Sequence, residues 1–329
     1  MPRRLRTAHR ILVAAALVAC VVPPTRTSAT EPAAGPWPSP VTASAAGAAP
    51  SPVTASPTPG CPTTVNVVAH QDDDLLFINP DISGDIAAGR CVVTVYLTAG
   101  DAGRPSSYWR GREAGAEAAY AAMADVADNW TAGTVTVAGR TLPTYSLDGA
   151  PVLLIFLRLP DGHGYAVTGY ETLHKLWIGA LPTIHAVDSS AAYTKESLIR
   201  ALTGVMATYR PDVIRTLNFV GPYGDGDHGD HHSAGYFALA AHRNFRAAHQ
   251  ISAYLGYQIS SRPANLPDGA ASAKLDAFLA YGSHDPHVCQ TRSACLDDLY
   301  APWFSRRHIV GTEAGPVREN PEREGHPRY

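Results

Sequence analysis

Four near-continuous runs of apolar and β-branched residues constrain the fold of this chain most: TVNVVAH (64–70), CVVTVYLTAG (91–100), PVLLIFLRL (151–159) and PDVIRTLNF (211–219). A strand wetted on one face alternates apolar and polar residues, whereas a strand covered on both faces does not. Helical patterns separate these runs. Residues 109–127 are alanine-rich, 194–209 place Leu198, Leu202, Val205, Met206 and Tyr209 on one apolar face, and 232–249 form a third such segment. Strands alternating with helices predict an α/β protein: a Rossmann-like three-layer sandwich whose mostly parallel sheet carries helices on both faces. In such sheets the working residues sit on loops beyond the carboxyl ends of the strands.

The chain has 329 residues, and its first sixty do not read as part of that sandwich. Residues 1–10 hold four arginines and no acid, and 11–22 (ILVAAALVACVV) are apolar throughout. This is the pattern of a secretory signal over residues 1–29, too short to span a bilayer, with cleavage expected after Ala29. The alternative is a lipobox at Leu17–Cys20, which would anchor the protein through lipid on Cys20. No later segment approaches the length of a membrane span. Residues 30–60 are rich in Pro, Ala, Ser and Thr and repeat PSPVTAS at 38–44 and 50–56, the composition of a disordered linker. One domain over 61–310 and a polar tail over 311–329 complete the expected organisation.

Removing the five arginines of the signal region takes the formal charge from −3 to −8. No basic stripe remains to neutralise phosphates, so a nucleic-acid partner is not expected. Cys61, Cys91, Cys289 and Cys295 remain after the signal, with no CxxC spacing, and in an exported protein they suggest two disulfides. Cys61 precedes the first strand and Cys91 opens the second. The starts of neighbouring parallel strands lie side by side, within reach of a disulfide. The expected pairs are therefore Cys61–Cys91 and Cys289–Cys295.

Chemistry concentrates in two clusters, each following a strand and entering a helix. In VVAHQDDDLLF (67–77), His70 and Asp73 stand three apart with Asp72 beside them. In GDGDHGDHHSAG (224–235), His228, Asp230 and His231 repeat that spacing. Adjacent carboxylates repel unless a positive charge sits among them. Imidazole and carboxylate donors without thiolate suit zinc or a related divalent ion, and three protein ligands leave a position open for catalysis. Carboxylates capping a helix N-terminus would explain the first cluster alone, but not both. A calcium loop at 225–230 fails because an acid stands where the glycine is required. Neither a GxSxG elbow nor HExxH is present.

His70-Gln71-Asp72-Asp73-Asp74 resembles the HPDDE motif, and His228-Gly229-Asp230-His231 the HxDH motif, of the PIG-L (LmbE-like) zinc-dependent de-N-acetylases. Leu97–Asp101, Arg110 with Glu113, Leu159–Gly162 and Arg210–Val213 extend the resemblance over about 64–250. It implies His70, Asp73 and His231 as ligands of zinc or another divalent transition metal, and Asp72 as general base. It further implies that protonated His228 stabilises the oxyanion, that Asp230 orients His228, and that Arg110 and Asp161 contact the sugar. Gln71 in place of proline and Asp74 in place of glutamate depart from the motif at positions that supply neither ligand nor base. The function implied is a secreted hydrolase that removes acetyl from an N-acetylglucosaminyl conjugate, a small molecule or glycan, by attack of zinc-bound water. The alternative is a catalytically weakened carbohydrate-binding protein on the same scaffold.

Overall fold

The four apolar runs form the centre of the sheet. In a computed structural model the described residues are 53–54, 60–162, 170–297 and 299–315. The expected signal segment with Cys20, most of the expected linker and the residues from 316 lie outside them. Strands β2 (Thr63–Val68), β3 (Cys91–Thr98) and β6 (Val152–Leu159) are buried along their whole length. That is what their lack of alternation requires. With β9 (Val213–Leu217) and β10 (Gln250–Tyr254) they make a parallel block in the order β6-β3-β2-β9-β10. The register runs through Val65↔Val93 and Val65↔Ile214.

The edges are antiparallel. β4 (Trp130–Val137) and β5 (Arg140–Leu147) form a hairpin that pairs through β5 with β6. Its two-residue turn is Ala138–Gly139, both with positive φ, the conformation that matches strand twist. At the other edge β11 (Ile309–Ala314) runs antiparallel to β10. β1 (Val53–Thr54) pairs in parallel with β4. The expected boundaries therefore shift: two residues of the 30–60 linker join the sheet, and the domain runs past 310 into the expected tail, because β11 covers the outer edge of β10.

On one face α1 (Asp81–Ala87) and α2 (Ser106–Ala124) pack together, and α6 (Asp268–Gly282) packs on α2. On the other, α3 (Leu173–Trp177) and α4 (Lys195–Tyr209) pack on α5 (Gly229–Asn244). The five residues expected on the apolar face of 194–209 are all buried. The helix starts at a capping box in which Thr194 and Ser197 bond reciprocally. The third helical segment, read as 232–249, begins earlier and ends at Asn244, and β10 follows it. A ribbon of β7 (Ile184–His185) and β8 (Ala192–Tyr193) and two short helices, α7 (Arg292–Asp297) and α8 (Ala301–Phe304), complete the described fold. Among the described residues no helix is long and apolar enough to cross a membrane. Cys61 pairs with Cys91 and Cys289 with Cys295, as the strand starts suggested.

Candidate metal centre and active site

The chain passes from β2 outward to β3 and β6 on one side, then returns to place β9 on the other side of β2. Between β2 and β9 the connections therefore diverge, and the crevice beyond their carboxyl ends is where ligands bind in open α/β sheets. His70 and Asp73 follow β2, while His228 and His231 follow β9. Asp161, beyond the end of β6, is the third contribution.

Asp73 organises the centre. Its Oδ2 accepts from the backbone N–H groups of Ala69 (3.1 Å) and His70 (2.7 Å). Its Oδ1 lies 3.4 Å from Nδ1 of His70 and 2.9 Å from Nε2 of His231. Nδ1 of His231 lies 2.7 Å from Oδ1 of Asp227 and donates to it, which turns Nε2 toward Asp73. That buried Nε2 makes no hydrogen bond. Positive charge belongs between that nitrogen and the carboxylate: the ring's own second proton supplies it, and a bound cation would replace that proton. Two ligands of one tetrahedral zinc stand about 3.3–3.4 Å apart, close to both separations. Asp227 completes a carboxylate–histidine pair of the kind that orients metal ligands.

The electrostatics agree. Burial would raise the Asp73 carboxyl, but the facing His231 and His70 rings outweigh it and hold it well below the usual range. Burial would lower His231, yet Asp73 and Asp227 on either side push it up to about 10. Asp73 thus holds positive charge on the facing imidazoles, a charge that a bound cation would supply in their place. Ring nitrogens of His70, His228 and His231 also lie within 4.8 Å of one another, and so do ligand atoms of His70, Asp161, His228 and Asp230. His228 differs from the other two rings, because its Nδ1 accepts the backbone N–H of Asp230 at 3.1 Å and its Nε2 points to Asp161 at 3.8 Å.

Three expectations change in detail. His228 caps α5 through Nδ1, and burial, followed by the charge on His70, pushes its pKa down to about 4. Its ring is therefore neutral, with the hydrogen on Nε2, rather than protonated. Asp230 orients His228 through its backbone N–H, while its carboxylate accepts from Gly162 N at 2.7 Å and so fixes the Asp161 loop. Arg110 is exposed, its guanidinium 4.5 Å above the Trp109 ring, and it is Arg112 that reaches the cluster, bonding Oδ1 of Asp72. Glu113 is held by Arg158 through two bonds, at 2.8 and 2.9 Å. Gln71 and Asp74 are fully buried; Gln71 donates to the Thr98 carbonyl, and Asp74 accepts from the hydroxyls of Tyr96 and Tyr120.

A cavity of about 580 Å³ opens beside Asp72 and Asp73. Phe77, Leu299 and Tyr300 join the stacked pair Tyr257 and Trp303 in its walls, and Gln258 and Ser260 add polar groups. Tyr257, on a 3₁₀ turn over Tyr257–Ser261, and Trp303, on α8, come from short elements the sequence did not suggest. Tyr108 and Trp130, considered as sugar-facing aromatics, lie elsewhere: Tyr108 packs on His287, and Trp130 bonds Asp128.

A model of the PIG-L family, described as GlcNAc-PI de-N-acetylase, matches residues 65–242. No curated protein matches the chain significantly. Among solved structures, an N,N'-diacetylchitobiose deacetylase from Pyrococcus horikoshii is similar at 15% identity and a TM-score of 0.46, covering 78% of this chain and 85% of that one. The 4-carboxy-2-hydroxymuconate hydratase from Pseudomonas putida is similar at 16% identity and a TM-score of 0.42, covering 74% and 82%. The zinc-inhibited form of a teicoplanin deacetylase gives 15% and 0.39, covering 67% and 84%. Likenesses this distant do not bear on chemistry, which the site itself has to carry.

Proposed function

The chain belongs to the PIG-L family of de-N-acetylases, and on that premise we propose a secreted, zinc-dependent hydrolase that removes acetyl from an N-acetylated amino sugar. The observation that carries this reading is the buried Nε2 of His231 set 2.9 Å from Oδ1 of Asp73, with Nδ1 of His70 3.4 Å from the same oxygen. His70, Asp73 and His231 would hold the ion. A divalent ion in that position acidifies a water and polarises the amide carbonyl.

The remaining roles belong to the chain. Asp72 lines the cavity and accepts the proton of the attacking water. Burial raises its carboxyl and the Arg112 charge opposes that rise. As the C–N bond breaks, the same carboxyl returns the proton to the leaving nitrogen, so water and amide become acetate and free amine. His228 donates from Nε2 to the oxyanion while neutral, because Nδ1 is committed to the Asp230 N–H. Asp161, whose backbone is held by Asp101 and by the neighbouring Asp230–Gly162 bond, would take a sugar hydroxyl. The exposed position of Arg110 gives it no part in this scheme. Gln71 and Asp74 bond into the core away from the cavity, which favours turnover over the binding-only alternative. The signal-like N-terminus and two disulfides support export.

Acetate release from a panel of N-acetylglucosaminyl conjugates by zinc-loaded protein tests the proposal. At least one conjugate should be turned over, and chelation should stop it. No release from any member by protein carrying one equivalent of zinc would sink it.

A further inference from the structure

Arg112 is a cation placed where the reaction scheme has no ligand to bind, and it is 7% exposed. Each of its three nitrogens makes a hydrogen bond. Nη2 bonds Oδ1 of Asp72, Nη1 donates to the Gly100 carbonyl at 2.9 Å, and Nε donates to the Tyr281 hydroxyl at 2.6 Å. Tyr281 in turn donates to Oδ2 of Asp285 at 2.7 Å, and that oxygen lies 3.3 Å from Nε of Arg112. Tyr281 and Asp285 are 0% and 1% exposed. One guanidinium thus stands between the buried carboxylate of Asp285 and the half-buried one of Asp72, the base.

The backbone is built for this meeting. Gly111 and Gly115 flank Arg112 on α2, where the end of α6 crosses. A Cβ on Gly111 would come 2.8 Å from the His284 carbonyl oxygen, and one on Gly115 would come 2.8 Å from that of Tyr281. Real Cβ atoms do not approach backbone oxygens so closely, so these glycines allow 281–285 to reach the arginine. Among the described residues no donor bonds Oδ2 of Asp72, whose side chain lines the cavity. Fixing one oxygen aims the other. Tyr281 and Asp285 also lie beyond residues 65–242, the stretch that matches the family model.

We propose that Arg112 is a positioning residue that holds the base Asp72 in line, and that Tyr281 and Asp285 fix Arg112 for that task. This inference rests on Asp72 being the base. A positioning residue changes the chemical step and not metal or substrate affinity. Asp285→Asn and Tyr281→Phe should each lower kcat by about 10-fold or more, with KM and zinc content unchanged. Asp285→Asn combined with Arg112→Lys should lose little beyond Arg112→Lys alone, because the two act on Asp72 in series. Additive losses, or full kcat in both single variants, would overturn the proposal, as would KM and zinc content falling together with kcat.

A second readout needs no substrate. The Arg112 Nε–H, identified in ¹⁵N spectra by its loss in Arg112→Lys, should exchange slowly in the native protein and fast in Asp285→Asn and Tyr281→Phe. Unchanged slow exchange in both would overturn the network even if no conjugate is turned over; fast exchange with an inactive native enzyme would instead count against the reaction. Tyr281→Phe removes a single hydroxyl and keeps the test open if Asp285→Asn does not fold.

Discussion

Asp72 and Asp73 are neighbours in sequence, and each has its own source of positive charge. Asp73 faces two imidazoles, which would share an ion with it under the proposed function, whereas Asp72 is balanced by Arg112. His70, Asp73 and His231 were legible because repeated i, i+3 spacing after two strands is a strong local signal. Asp227 and Arg112 were not, since their roles depend on approaches across the fold. The one hint was an acid four residues before a helix-borne histidine. Replacing His231 by Ala should abolish tight zinc binding, whereas Asp227→Ala should weaken it by about 10–100-fold. Dialysis against a zinc buffer followed by elemental analysis measures both, and full occupancy in His231→Ala would refute the ligand set. Asp72→Asn should keep its zinc and lose about 10²–10⁴-fold in kcat, the usual worth of a general base. Near-native turnover would place the base elsewhere. Asp74 gives a pH prediction. Burial pushes its carboxyl from the ordinary 3.8 up to about 7, against two tyrosine hydroxyls that favour the charged form. Between those values the unfolded chain gives up a proton that the folded chain keeps, so this residue costs stability as pH rises from about 4 to about 7. Asn cannot titrate and still offers an acceptor to Tyr96 and Tyr120. Asp74→Asn should therefore gain melting temperature relative to the native protein between pH 5 and pH 8; a pH-independent difference would contradict the raised value.

At the scale of elements, the parallel block was readable because strands covered on both faces carry continuous apolar runs, and β2, β3 and β6 are buried throughout. The edges were not. β4 and β5 mix exposed and buried positions, and their turn is Ala138–Gly139, which lacks the asparagine or aspartate of a strong hairpin signal. The loop 245–249 was absorbed into the preceding helix because HRNFRAAH keeps a helical composition up to β10, which carried no reading of its own. Phe245, extended at φ −81° and ψ 128°, ends the helix instead. α4 was legible from its face and also from its start. Thr194 accepts from Ser197 N at 3.2 Å, while Ser197 Oγ accepts from Thr194 N at 2.9 Å. Thr194→Ala should cost about 1 kcal/mol in denaturant unfolding, the usual worth of an N-cap. An unchanged midpoint would mean that packing alone holds this end of α4.

For the whole molecule, the two disulfides sit in different relations to the site. Cys61–Cys91 ties the starts of β2 and β3, at the end of the sheet opposite the crevice, and closes a separation of 30 residues. Cys289–Cys295 closes only six residues, but it follows directly on the 281–285 segment that carries Tyr281 and Asp285. In the chain-entropy account the first bridge is worth about 3–4 kcal/mol and the second about 2 kcal/mol. Energy and function should therefore separate. The Cys61→Ser, Cys91→Ser variant should lose more stability, yet its folded fraction should keep native kcat and KM, because the strand starts are a full strand length from His70. The Cys289→Ser, Cys295→Ser variant should lose less stability and more kcat, with KM and zinc content held, because loosening that loop frees Asp285 and with it the arginine that aims Asp72. Thermal melts and steady-state kinetics on the two pairs decide the matter. Equal kcat in both would mean that Asp285 is held by α6 alone, and a larger kcat loss in the Cys61, Cys91 pair would mean that the crevice depends on the far end of the sheet.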